Sequence, residues 1–219
     1  MISHPLKIVE VKVGKRIVKI AIVQDPLYLF DELLSKDPEH ADVKDERIPY
    51  WSELWPSSIA MAEYLEENPF LVKDKQVLEI GCGLGLPGVV AGALGGKVIL
   101  TDYLNEALDF ATYNWKLNNP NPADTRLLDW RSPVAIEPAD VLLASDVAYE
   151  SRSFLPLVKA ISQLVKKDGT IIIAEPNRKF AKEFFLSIKQ AGYNVQEEIR
   201  EVIKDNIRNI ISIYFIRLY

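Results

Sequence analysis

The sequence predicts an α/β protein with a mostly parallel sheet covered by helices on both faces. Three observations predict it. Short apolar runs alternate with segments of helical spacing from Gln76 onward. A glycine-rich turn, "GCGLGLPG", follows the first of those runs. The last two strand candidates have no helix between them, so the sheet should end antiparallel, because parallel neighbours need a crossover.

Taken in order, Leu6–Val13 and Arg16–Val23 alternate apolar and polar around Gly14-Lys15, which reads as a β-hairpin. Ser35–Asp45 is charged and unpatterned, an expected exposed loop. "PYWSELWPSSIAMAEYLEENP" starts with aromatics and prolines and becomes helical, with Ile59, Met61, Ala62 and Leu65 inward. "QVLEI" is a buried strand. Pro87 to Leu94 is a helix ended by Gly95-Gly96. "KVILTD" is the second strand. Asn105 is expected to cap a helix that buries Leu108, Ala111 and Trp115. "TRLLDW" and "DVLLASD" are strands three and four. Ser153–Lys167 is a helix with Lys166 and Lys167 at its negative end. "TIIIAEP" is strand five, Phe180–Ala191 a helix, and Tyr193–Glu201 with Asn209–Leu218 the final pair. Seven strands therefore build the sheet, with an antiparallel last strand and the hairpin as an N-terminal extension.

Bulk properties narrow the function. The chain has 219 residues and a net charge of −5, which argues against a nucleic-acid surface. Its acidity would suit a basic protein segment. One cysteine, Cys82, excludes an internal disulfide and a zinc site built on cysteine pairs; two histidines, His4 and His40, do not make a metal cluster. No signal pattern and no membrane-length apolar run is present, so a cytoplasmic protein is expected.

The glycines fit two templates. Gly81, Gly83 and Gly85 give G-x-G-x-G behind Glu79, while Gly83, Gly85 and Gly88 give the dinucleotide pattern G-x-G-x-x-G. Asp102 ends the second strand where an acid can accept both ribose hydroxyls of either cofactor. Four features favour S-adenosylmethionine. Glu79 can meet a positively charged methionine end but would repel a pyrophosphate. Pro87 offers no N–H where a pyrophosphate needs one. Asp129 and Trp130 can bond the adenine amine and cover its face. The antiparallel end of the sheet is the fourth.

From about Val77 on, the chain resembles the class I, Rossmann-like, seven-strand S-adenosylmethionine-dependent methyltransferases. More narrowly, "PYWSELWPSSIAMAEYL", "VLEIGCGLGLPGVVA" and "SDVAY" are similar to the seven-strand protein-lysine methyltransferases, especially the branch acting on the electron-transfer flavoprotein beta subunit. The resemblance implies a methyltransferase domain over residues 49–219 behind an extension of residues 1–48. It implies cofactor contacts from Trp55, Glu79, Gly81, Gly83, Asp102, Tyr103 and Trp130. Trp51 rivals Trp55 for that role, and either could be core. Ser145, the first residue of "SDVAY", is counted with the cofactor contacts.

Asp146 and Tyr149 carry the D-x-x-Y pattern just past strand four, where ligands meet such a sheet. A lysine amine has a pKa near ~10.4, so about one in 2,500 is neutral at pH 7. A sulfonium and desolvation both lower that pKa; Asp146 raises it. Asp146 is therefore assigned to docking and orienting the amine, and Tyr149 to an aromatic channel. The alternative is that Asp146 caps the next helix and Tyr149 packs. The Asn/Asp-Pro-Pro-Tyr/Phe element of enzymes that methylate nucleobase amines is absent. Pro176-Asn177-Arg178 lines the substrate side or forms a plain surface loop. The expected activity is methyl transfer to a protein lysine. Competing readings are a small-molecule N-methyltransferase, a non-catalytic binding module and, last, a dinucleotide oxidoreductase. Substrate choice is expected to lie in the hairpin and in Ser35–Asp45.

Overall fold

The computed structural model describes residues 2, 4–132 and 135–218. Two strands, β1 (Leu6–Val13) and β2 (Arg16–Val23), form the hairpin in the register set by the Gly14-Lys15 turn, with Val13 opposite Arg16. Two helices follow, α1 (Leu27–Ser35) and α2 (Ala41–Lys44). The main body then runs α3 (Pro56–Glu67), β3 (Gln76–Ile80), α4 (Leu86–Ala93), β4 (Lys97–Asp102), α5 (Asn105–Asn118), β5 (Asp124–Leu127) and β6 (Ala139–Ser145). It closes with α6 (Phe154–Leu164), β7 (Val165–Glu175), α7 (Ala181–Gln190), β8 (Tyr193–Lys204) and β9 (Ile207–Leu218).

The seven-stranded sheet has the order β5-β4-β3-β6-β7-β9-β8. β3, β4, β5, β6 and β7 are parallel, and β9 lies antiparallel to both β7 and β8. Strand alternation divides the core into two apolar clusters, one on each face. Val77, Leu100, Val141, Leu143 and Ile172 belong to the cluster shared with α3, α4, α5 and the hairpin. Leu78, Ile80, Leu142, Ala144 and Ile171 belong to the cluster shared with α6 and α7. The order reverses between β3 and β6, so their C-terminal ends open the crevice where such sheets bind ligands.

Several local expectations are corrected. Ser35–Asp45 is not a plain loop: α2 interrupts it, and Lys36 and Arg47 both pair with Asp42, at 2.7 and 3.0 Å. Asn105 is the first residue of α5, not its cap; the free amide beside it, that of Leu104, donates instead to Asp102 Oδ1 at 3.1 Å. The helix expected to reach Lys167 stops at Leu164, and Val165–Lys167 already belong to β7. Lys166 there pairs with Asp140 at 2.6 Å rather than with a helix end. Strand three is shorter than "TRLLDW" suggests, ending at Leu127, so Asp129 and Trp130 sit in the loop beyond it. Among the described residues no helix is long and apolar enough to cross a membrane.

Candidate functional site

A cavity of about 260 Å³ opens at the C-terminal ends of β3, β4 and β6. Its floor is the turn after β3. Gly81, Gly83 and Gly85 all have left-handed backbone, with φ of +61°, +50° and +78°, a region that favours glycine. A β-carbon on Gly81 would press on the Trp130 ring at 3.2 Å, and one on Gly83 would meet the Trp51 backbone at 3.5 Å. Gly88 plays a different part. It lies in α4, where a β-carbon would fall 2.3 Å from Leu100 Cδ2, so its bareness lets helix and sheet close up.

Asp102 stands at the tip of β4 and lines the cavity. Its Oδ2 accepts from the Gly83 amide at 3.0 Å and its Oδ1 from Leu104. Burial pushes its carboxyl up to about 6, against the pull of those backbone amides. Tyr103 follows it, with burial and the Asp102 charge pushing the phenol up to about 12.

Glu79 takes an unexpected position. It is fully buried and does not line the cavity. Strand alternation turns its side chain with Val77 toward α4, where Oε2 accepts from the Gly88 amide at 2.8 Å. Oε1 has no partner among the described residues. Burial first, and Asp102 second, push this carboxyl up to about 8, although the Gly88 amide works the other way.

Asp129 also lies off the main cavity. Its carboxylate binds Arg131 at 2.7 Å, and Arg131 reaches on to Asp45 at 3.0 Å. Burial opposes the charge of Asp129, but Arg131 outweighs it and holds the carboxyl below its ordinary range. This bridge ties the segment after α2 to the loop after β5. Nothing in the spacing of Asp45 and Arg131 announces it; only the neighbouring charges of Asp129 and Arg131 hint at a pair.

The aromatic expectations resolve into a wall. Trp51 and Trp55 both line the cavity. Trp51 packs on Phe110 with centroids 5.3 Å apart. Trp55 precedes α3 and donates its indole N–H to the Tyr50 carbonyl at 2.7 Å. Tyr149 meets Tyr50 edge-on at 5.5 Å and 66°; Tyr50 was not singled out by the sequence. Burial raises the Tyr149 phenol far above its ordinary range. Cys82 is buried in the turn and its thiol is likewise raised by burial.

Ser145 ends β6 and lines the cavity beside Asp146. Asp146 has left-handed backbone, φ +60°, and does not cap a helix, since α6 begins only at Phe154. Its amide donates to the Ala174 carbonyl at 2.9 Å, and its carboxylate is ion-paired with Arg178. The loop Pro176-Asn177-Arg178 thus reaches the site through Arg178.

A family model described as "Lysine methyltransferase" matches residues 44–191. The chain belongs to the lysine methyltransferase family. Its cofactor is S-adenosylmethionine. Rat histone-arginine methyltransferase METTL23 is 31% identical over 57% of this chain and 58% of its own length. Zebrafish protein N-lysine methyltransferase METTL21A is 29% identical over 66% of this chain and 69% of its own. The human electron transfer flavoprotein beta subunit lysine methyltransferase is 26% identical over 76% and 60%. The chain spans little more than half the length of the METTL23 relatives. In fold it is similar to magnesium protoporphyrin IX methyltransferase from Synechocystis PCC 6803 with bound SAM, with a TM-score of 0.60, 13% identity, and 89% of this chain and 92% of that one covered. The site fits the family cofactor: Gly81 and Gly85 leave little space for β-carbons, and Asp102 and Trp130 line the cavity with a carboxylate and an aromatic ring.

Proposed function

We propose that the chain transfers a methyl group from S-adenosylmethionine to a lysine amine of a protein substrate. The observation that carries the reading is one cavity lined by both the glycine turn with Asp102 and the Asp146–Tyr149 pair. When bound, the cofactor supplies an electrophilic methyl group on a sulfonium. Gly81 and Gly83 let the backbone approach it, Asp102 accepts its ribose hydroxyls, and Trp130 with Tyr103 flanks its base. Trp55 and Ser145 complete the contacts, and Asp129 takes the adenine amine from the smaller pocket that shares Tyr103 and Trp130 with the cavity. Glu79 acts from beneath the turn, holding α4 through Gly88 rather than touching the ligand from the cavity side.

On the acceptor side, Tyr149 and Tyr50 form an apolar channel that strips water from the incoming side chain. Asp146 accepts an N–H of the amine and so aims the lone pair in line with the reacting bond. The segment after α2 borders this channel, with Ile48 on the cavity and Asp45 and Glu46 on the pocket beside Tyr149, and helps to select the protein presented to it. The extension, residues 1–48, is proposed as the substrate-selecting part and residues 49–219 as the catalytic domain. A cytoplasmic location belongs to the same reading, supported by the single cysteine.

The identity to rat METTL23 favours a second acceptor, an arginine guanidinium. Transfer of labelled methyl from S-adenosylmethionine to proteins of a cell lysate, followed by amino-acid analysis, decides. Methyl-lysine in a protein band is the expected product. Methyl-arginine establishes the second reading, and label confined to small metabolites overturns both.

A further inference from the structure

Arg178 and Asp146 come from loops after adjacent strands, β7 and β6, and line one cavity. Besides its ion pair with Asp146, Arg178 Nη1 lies 3.5 Å from Oε1 of Glu175. Glu175 ends β7 and is 1% exposed. Both its oxygens accept from the Arg178 backbone amide at 3.1 Å. Asn177, between them, has φ of +63°. Its side-chain amide donates to the Ile210 carbonyl at 3.1 Å, and its Oδ1 accepts from the Ser212 hydroxyl at 2.8 Å. The loop is therefore fixed from β7 and from β9, and it presents a guanidinium to Asp146 in a set direction.

We propose that Arg178 is a positioning residue that cancels the charge of Asp146, so that this end of the cavity takes its acceptor as a neutral amine and not as an ammonium. The inference rests on the methyltransferase reading above. An ammonium has no lone pair for the methyl group, yet a bare carboxylate would bind ammonium best and raise its pKa. With Arg178 in place, Asp146 keeps lone pairs that accept an N–H but offers no net charge. The guanidinium and the cofactor's sulfonium then both disfavour a third cation. Other groups face the same space: Glu53 before α3, Asp102 and Tyr103 at β4, Tyr149 and Glu150 after β6. Glu175 stands behind Arg178; burial raises its carboxyl, though the Arg178 contacts work against that. Removing the guanidinium changes the local charge by one unit whatever these groups do.

The test compares affinities of S-adenosylmethionine and S-adenosylhomocysteine, which differ by one charge at sulfur. Calorimetry is run on wild type, Arg178→Gln, Arg178→Lys and the double variant Asp146→Asn/Arg178→Gln. Arg178→Gln is expected to shift the ratio toward S-adenosylmethionine by about fivefold or more, since it bares Asp146. Arg178→Lys and the double variant are expected to keep the wild-type ratio. With S-adenosylhomocysteine bound to the protein, n-butylamine, a lysine side-chain probe, is expected to bind Arg178→Gln more tightly than wild type at neutral pH. An unchanged ratio in Arg178→Gln overturns the proposal, as does an equal shift in Arg178→Lys. Equal butylamine binding by wild type and Arg178→Gln also overturns it. A wild-type protein that binds neither cofactor form refutes the methyltransferase reading instead, before any variant is compared.

Discussion

Asn114 of α5 takes both backbone polar groups of Ala21 in β2. Its Oδ1 accepts from the Ala21 amide at 2.6 Å and its Nδ2 donates to the Ala21 carbonyl at 3.1 Å. The same Nδ2 donates to the Leu84 carbonyl, inside the glycine turn, at 2.9 Å. One buried side chain thus joins the hairpin, a helix and the cofactor cradle. Asn114→Ala leaves buried backbone groups unpaired, which costs about 2–4 kcal/mol. Denaturant unfolding should show that loss, and S-adenosylhomocysteine affinity should fall with it. A loss below about 0.5 kcal/mol would show the tie to be idle.

Gly88→Ala should be costly although alanine is the better helix former. The added carbon meets Leu100 at 2.3 Å and Glu79 Oε2 at 2.6 Å. Overpacking of this kind costs about 1–3 kcal/mol. The melting temperature should drop, and added S-adenosylhomocysteine should restore less of it than in wild type. A more stable variant would mean that α4 lifts off the sheet freely.

Glu79 and Asp102 make the cofactor-free protein less stable as pH rises. Both carboxyls are raised in the fold, Glu79 to about 8 and Asp102 to about 6, from ordinary values of 4.5 and 3.8. Between the two values of each acid, the folded chain holds a proton that the unfolded chain releases. Stability therefore falls through that window, by at most about 1.4 kcal/mol per pH unit for each group. Asp45, lowered to about 2, acts in the opposite sense but only in stronger acid. The melting temperature should decline from about pH 5 to about pH 8 and flatten in Glu79→Gln. A rising curve in wild type would refute a neutral carboxyl beneath α4.

Asp146→Asn keeps the shape of the site and removes its charge. Methyl transfer should fall by about a hundredfold, because the amine loses its strongest acceptor. Affinity for S-adenosylhomocysteine, which carries no sulfonium, should stay within about threefold of wild type. Tritium transfer and calorimetry on one preparation read both. Turnover retained in the variant would remove Asp146 from the reaction.

The hairpin was legible to the residue, because strict alternation and Gly14-Lys15 leave one register. The strands around the cavity were equally clear, since fully buried parallel strands read as unbroken apolar runs. The glycine turn and the pair Asp146–Tyr149 lie where the sequence puts them. The Arg178–Asp146 contact was not readable: 32 positions separate the two, and only the pairing of Ser145 with Ala174 sets their loops side by side. Glu79 shows the opposite case. Alternation with Val77 points it at α4, whereas its place before the glycine turn suggests a ligand contact. α1 is short and follows Asp25-Pro26, a start signal whose Asp25 Oδ1 accepts from the Leu27 amide at 3.1 Å, but its nine residues give too few turns for a clear helical period.

The seam between β3 and β6, where Ile80 pairs with Ala144, divides the molecule's labour. The glycine turn and Asp102 follow β3 and β4, whereas Asp146, Tyr149 and Arg178 follow β6 and β7. Within the sheet the two sides meet at this one pairing, and α3 and α4 pack across it. A chain built this way can change what it acts on by rewriting the loops after β6 and β7 and its N-terminal extension, while the turn after β3 keeps its shape.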